Sequence, residues 1–168
     1  MIITKSELLA SLQKEVRILL HLASKIDRSQ LDYRPTPKQR STIELLQYLS
    51  FMGPAMVRYA KGEPFDPDAW ARIVKLAATR GFDDTLAEIA KHHDQYAALL
   101  TDMDDAAFRA ELTGFDGAKT TSGSFIINNV IAQCSAYRTQ LFMYLKACGR
   151  EELNTLNLWM GVDPPVAV

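Results

Sequence analysis

The sequence predicts an all-α fold: a four-helix bundle with a short helical crossover insertion between the second and third helices. Three observations carry that prediction. Four long segments place apolar residues three or four positions apart, no stretch alternates apolar and polar residues convincingly, and no unit recurs at a fixed period. With 168 residues, 48% of them hydrophobic, the chain can bury one core, so a single domain over residues 1–168 is expected.

The first helix opens at Thr4-Lys5-Ser6-Glu7, a capping box in which hydroxyl and carboxylate satisfy orphan amides reciprocally. Leu8, Leu12, Val16, Leu19, Ala23 and Ile26 form its apolar stripe. In Leu31-Asp32-Tyr33-Arg34-Pro35-Thr36-Pro37 the prolines hold Arg34 and Thr36 extended, which makes an ordered linker. A second capping box, Ser41-Thr42-Ile43-Glu44, opens the second helix, whose two apolar stripes predict burial on two sides. Pro54 offers no amide to the Ser50 carbonyl and disfavours helical angles at Gly53, so a kink or break is expected there. Asp66 followed by Pro67 reads as an N-cap with proline at the first helical position, opening the short insertion that Gly81 closes.

Thr85-Leu86-Ala87-Glu88 reads as a third capping box, with Leu86, Ala90, His93, Ala97 and Leu100 as the buried stripe of the third helix. A helical turn is expected over residues 106–111, then a glycine-punctuated loop to Gly123 in which strands remain open. The fourth helix runs from Ser124 along Ile127, Val130, Ile131, Cys134, Leu141 and Leu145 to Gly149. The tail, with Leu156, Leu158, Trp159 and Met160, is too apolar to hang free and is expected to cover its own surface or a partner.

Composition narrows the classes of function. A net charge of −1 with no run of like charges argues against a nucleic-acid or anionic-membrane partner. No stretch approaches the roughly 20 apolar residues that span a bilayer, and the opening MIITKSELLASLQ carries Glu7 in an amphipathic pattern, so cytoplasmic residence is the expectation. Cys134 and Cys148 would lie about 21 Å apart on one helix, too far to pair with each other. No CxxC, GxGxxG, HExxH or GxSxG motif occurs.

Two stretches have a familiar form. The linker Tyr33-Arg34-Pro35-Thr36-Pro37 leads into Arg40-Ser41-Thr42-Ile43-Glu44-Leu45-Leu46-Gln47-Tyr48-Leu49, and later come Gln133-Cys134-Ser135-Ala136-Tyr137-Arg138-Thr139-Gln140-Leu141 and Gly149. Together they resemble the signatures of the DinB-like (YfiT-like) helical-bundle superfamily, "S-(I/L)-x-E-L-L-x-H-L" on helix two and "H-x-x-x-H-R-x-Q-L" on helix four. The resemblance implies a metal site of three histidines, one from helix two and two from helix four. In this chain those positions carry Tyr48, Gln133 and Tyr137, while the neighbouring Arg138 and Gln140 match. What it implies is therefore a DinB-like bundle without the metal triad and with no cofactor, a small-molecule-binding or interaction module that pairs as a homodimer. The alternative is a metal-dependent thiol S-transferase or hydrolase with a rearranged ligand set that includes His93.

Single residues carry competing readings. His93, on the expected apolar stripe, is either a hydrogen-bonded core histidine or a substitute ligand; His92 is expected to face solvent and His21 the surface. Cys134 and Cys148 read as buried, inert thiols, and Glu44 as a capping residue. Gln133, Tyr137, Gln140 and Tyr144 either pack between helices or line a polar pocket.

Overall fold

The computed structural model describes residues 3–165; Met1 and Ile2, which open the amphipathic stretch read above, and residues 166–168 of the expected domain lie outside the described residues. The elements run α1 (Lys5–Ala23), α2 (Thr42–Ala60), α3 (Pro67–Ala78), α4 (Phe82–Leu100) and α5 (Asp105–Arg109). A hairpin of β1 (Glu111–Thr113) and β2 (Lys119–Thr121) follows, pairing antiparallel with Leu112 opposite Thr120. Then α6 (Ser122–Ile126) passes through a π-type stretch (Ile127–Ile131) into α7 (Ala132–Ala147), so the last long helix is continuous from the hairpin to Gly149. The strands left open in the loop are thus a two-stranded hairpin. Among the described residues no helix is long and apolar enough to cross a membrane.

Pairs of contacts fix the helix directions. Lys5 reaches the Thr101 carbonyl and Gln13 that of His93, so α1 and α4 run antiparallel. On α2 and α4, Ser50 meets His92 and Gly53 meets Tyr96, so those two are parallel. Tyr48 meets Tyr137 and Tyr59 meets Phe125, which sets α7 antiparallel to α2 and parallel to α1. Parallel neighbours need a return path, and a 19-residue helix is about 28 Å long. That is the work of α3. Asp66 caps its start and Pro67 sits in its first turn, while Gln47 Nε2 holds its far end through the Ala78 and Arg80 carbonyls.

The core lies between the four long helices, with Leu12, Ile18, Leu46, Met52, Ile89 and Ile126 fully enclosed. Burying each such side chain contributes about 1.5–3 kcal/mol. The capping boxes at Thr4 and Ser41 both form, Glu7 and Glu44 each returning a bond to the cap amide.

Three expectations give way. First, of the kink or break expected at Pro54 the break does not occur: α2 runs without interruption from Thr42 to Ala60. The orphaned Ser50 carbonyl accepts instead a 2.9 Å hydrogen bond from His92 Nε2. Second, Thr85 does not cap α4. The helix begins at Phe82 behind Gly81, Asp83 and Asp84 occupy its first turn, and the Thr85 hydroxyl bonds back to the Gly81 carbonyl at 2.7 Å. Third, the buried stripe of α4 is Thr85, Ile89, His92, Tyr96 and Leu100, one position away from the apolar-looking set. His92 is therefore buried and His93 exposed. Polar residues could take the core face because α2 meets them with an unpaired carbonyl at Ser50 and an open space at Gly53.

Candidate functional site

Tyr48 leaves α2 and Tyr137 leaves α7 toward each other, their rings meeting edge to face at 5.4 Å between centroids. Phe51, one turn along α2, lies 5.5 Å from the Tyr48 ring, and Trp70 of the α3 crossover closes on both, at 6.4 Å from Tyr48 and 5.2 Å from Phe51. The Arg40 guanidinium sits over the Tyr48 ring, 4.1 Å from its centroid, a cation–π contact. The linker places that guanidinium. Leu31 and Tyr33 carbonyls accept the first amides of α2, from Ile43 and Thr42, each at 2.9 Å. The Tyr144 hydroxyl, itself bonded by the Gln140 amide, donates to the Arg40 carbonyl at 2.9 Å. Tyr33 packs edge to face on Tyr144, tying linker and α7 together.

Burial pushes the Tyr48 phenol up to about 12, and the neighbouring Tyr137 adds to the shift against the opposing pull of Arg40. It is a neutral hydroxyl across the physiological range. Gln133, one turn before Tyr137, is half-buried, and among the described residues its amide makes no hydrogen bond. The other family-matching neighbours are divided between two faces. Gln140 bonds Tyr144 and so supports the Arg40 backbone, whereas Arg138 turns to α1. There it is buried and ion-paired with Glu15 at 3.2 Å, under the Trp159 ring at 5.5 Å. Ser135 also bonds Glu15, whose carboxyl burial raises above its ordinary value.

Of the remaining candidates, His93 and His21 lie apart from this cluster, whereas the Cys134 thiol is close enough to Tyr48 to oppose its ionisation. His93 is on the surface beside Asp94, at 2.9 Å. His21, half-buried, contacts Asn157 of the tail. Burial lowers the His92 imidazole to about 4, which leaves it neutral. Burial also pushes the Cys134 thiol up to about 12, against the thiolate that redox or transfer chemistry would use. The contributions of Arg40, Trp70 and His92 escaped sequence reading; only Pro54, with its unanswered carbonyl, pointed toward a donor such as His92.

A divalent metal of the kind the resemblance implies needs basic nitrogen or anionic oxygen donors. Ionising a phenol at about 12 costs about 7 kcal/mol at neutral pH, and Gln133 offers only a neutral amide oxygen. Arg40 already places a positive charge over the Tyr48 ring. This donor set does not fit a divalent metal. Among the described residues no group of three or more His, Cys, Asp or Glu side chains is gathered elsewhere to hold one.

Comparison with known proteins gives the setting of this geometry. No curated protein matches the chain in sequence. Solved structures share its fold, two of them as follows. One is the DinB-like protein YjoA from Bacillus subtilis, at 16% identity, covering 88% of this chain and 95% of its own, with a TM-score of 0.65. The other is YfiT from Bacillus subtilis, described as a probable metal-dependent hydrolase with an unusual four-helix bundle topology; it is 17% identical, covers 86% of this chain and 87% of its own, and has a TM-score of 0.66. A family model matches residues 11–134, a span holding most of α1 and all of α2 and α4. By that match, which takes in well over half of its length, the chain belongs to the DinB superfamily.

Proposed function

We propose that this DinB-superfamily protein works without a metal, as a small-molecule-binding or interaction module of the cytoplasm that pairs with a second copy of itself. One observation carries the reading. Where the family signature has its helix-two and second helix-four histidines, this chain has the Tyr48–Tyr137 pair, packed against Trp70 and topped by Arg40. The cluster holds a guanidinium and the neutral Tyr48 phenol, which is suited to packing and to hydrogen bonding rather than to metal-activated water. The exposed position of His93 removes the replacement ligand that a thiol S-transferase or hydrolase with a rearranged site would use. The free thiols of Cys134 and Cys148 suit a reducing compartment.

The test is the metal content of protein purified without a histidine tag. The expected result is far less than one equivalent of zinc, nickel, iron and manganese combined. One equivalent per chain, lost when Tyr48 and Tyr137 are changed to phenylalanine in protein that still folds, refutes the reading.

A further inference from the structure

We propose that ligand enters at the end of the bundle opposite the tyrosine pair, and that its class is a small aliphatic carboxylate. This rests on the small-molecule-binding reading above and not on the absence of a metal. A cavity of about 730 Å³ opens there, between the start of α1, α5 and the start of the last long helix. That volume lies inside the range of about 300–1,000 Å³ common to small-molecule sites. Ile127, ten positions before Tyr137 and so about 15 Å away along the helix, marks the separation of the two sites.

The chemistry of the walls selects the ligand. Ile3, Leu8, Phe108 and Ile127 supply the cavity's apolar wall, and the Thr4, Thr121 and Ser124 hydroxyls that also line it are engaged in local bonds with Glu7, the Ser124 amide and Asn128. Ile127 stands 38% exposed in the free protein, at the first residue of the π-type stretch. Stretches of this kind are frequent at functional sites. The cavity's charged lining residues are Lys5 and Arg109, set against the single carboxylate of Asp105. The balance is one net positive charge. Lys5 spends one of its three donors on the Thr101 carbonyl, and among the described residues Arg109 makes no ion pair. A hydrocarbon body on the apolar wall with a carboxylate answering Lys5 or Arg109 satisfies both features. A neutral or cationic head would leave the excess positive charge unanswered.

Decanoate, decan-1-ol and decylamine, each below its micelle concentration, separate the contributions of head and tail. Calorimetry with the full chain should show one decanoate per chain, bound about tenfold more tightly than decanol, the worth of one charge-assisted hydrogen bond. Decylamine should bind more weakly still. Lys5→Gln with Arg109→Gln should erase the preference for decanoate, and Ile127→Asp should abolish decanoate binding, both with an unchanged thermal midpoint. Methyl resonances of Ile3, Leu8 and Ile127 should shift on titration. No saturable decanoate binding, equal affinity for all three probes, or shifts gathered instead on α3 overturns the proposal. Metal content is unaffected by any of these outcomes, so a failure here is distinct from a failure of the metal-free reading.

Discussion

At position 54 the chain gives up a backbone amide inside a helix, and His92 on the neighbouring helix supplies the donor that Ser50 would otherwise lack. An unanswered buried carbonyl costs about 1–3 kcal/mol. His92→Leu should therefore destabilise the protein by at least that much. In a Pro54→Ala background the new amide bonds Ser50 within the helix, so the same His92→Leu change should cost about 1 kcal/mol less, read from urea midpoints as a double-mutant cycle. Additive costs would show that the bond contributes nothing. The sequence exposed half of this pair: Pro54 announces a free carbonyl, but helical spacing alone put His92 on the wrong side by one position. The same holds for the tyrosine cluster. Tyr48 and Tyr137 could be placed together from the two signatures, whereas Arg40 and Trp70 arrive through a linker and a crossover whose paths local pattern does not specify.

Between elements, α4 comes close to α2 at Gly53. A Cβ built there would stand 1.9 Å from the Tyr96 hydroxyl oxygen, and no rotation of a methyl relieves such an overlap. Gly53→Ala should destabilise by about 1–3 kcal/mol through overpacking, less the roughly 1 kcal/mol that alanine gains in a helix. Adding Tyr96→Phe removes the offending oxygen and should recover most of the loss in thermal or urea unfolding. A Gly53→Ala that stabilises by the full helix gain, or a loss that Tyr96→Phe leaves untouched, means that the helices are not packed this closely. Helix starts were legible at Thr4, Ser41 and Asp66, where a side chain caps a longer helix, but the caps of the short α5 and α6, Asp104 and Thr121, went unread. The start of α4 was not legible either, because Gly81 has no side chain to announce the cap and Thr85 imitates one.

For the whole molecule, apolar periodicity predicts which faces are buried but not which way each helix runs; the parallel pairing of α2 with α4 becomes visible only in contacts such as His92 to Ser50. The tail follows the same rule. It packs on its own chain, with Arg17 donating to the Met160 carbonyl at 2.6 Å and Asn157 buried, yet Trp159 and Met160 remain 56% and 48% exposed. That residual apolar surface supports the proposed homodimer. Light scattering at micromolar concentration should give twice 18.8 kDa, and Met160→Glu should shift the mass toward the monomer; 18.8 kDa for the unaltered chain contradicts the pairing. The central claim is that the bundle keeps the family geometry while tyrosine, glutamine and a guanidinium occupy the place of the histidines. Zinc titration by calorimetry tests it most directly, comparing the unaltered protein with the triple variant Tyr48→His, Gln133→His, Tyr137→His, alone and with Arg40→Ala. The account predicts no saturable site in the unaltered chain and one zinc per chain in the triple variant, tighter once Arg40 is removed, as three imidazoles and a water complete four-coordination. Stoichiometric zinc binding by the unaltered chain, or none by folded triple variants with and without Arg40, would contradict it.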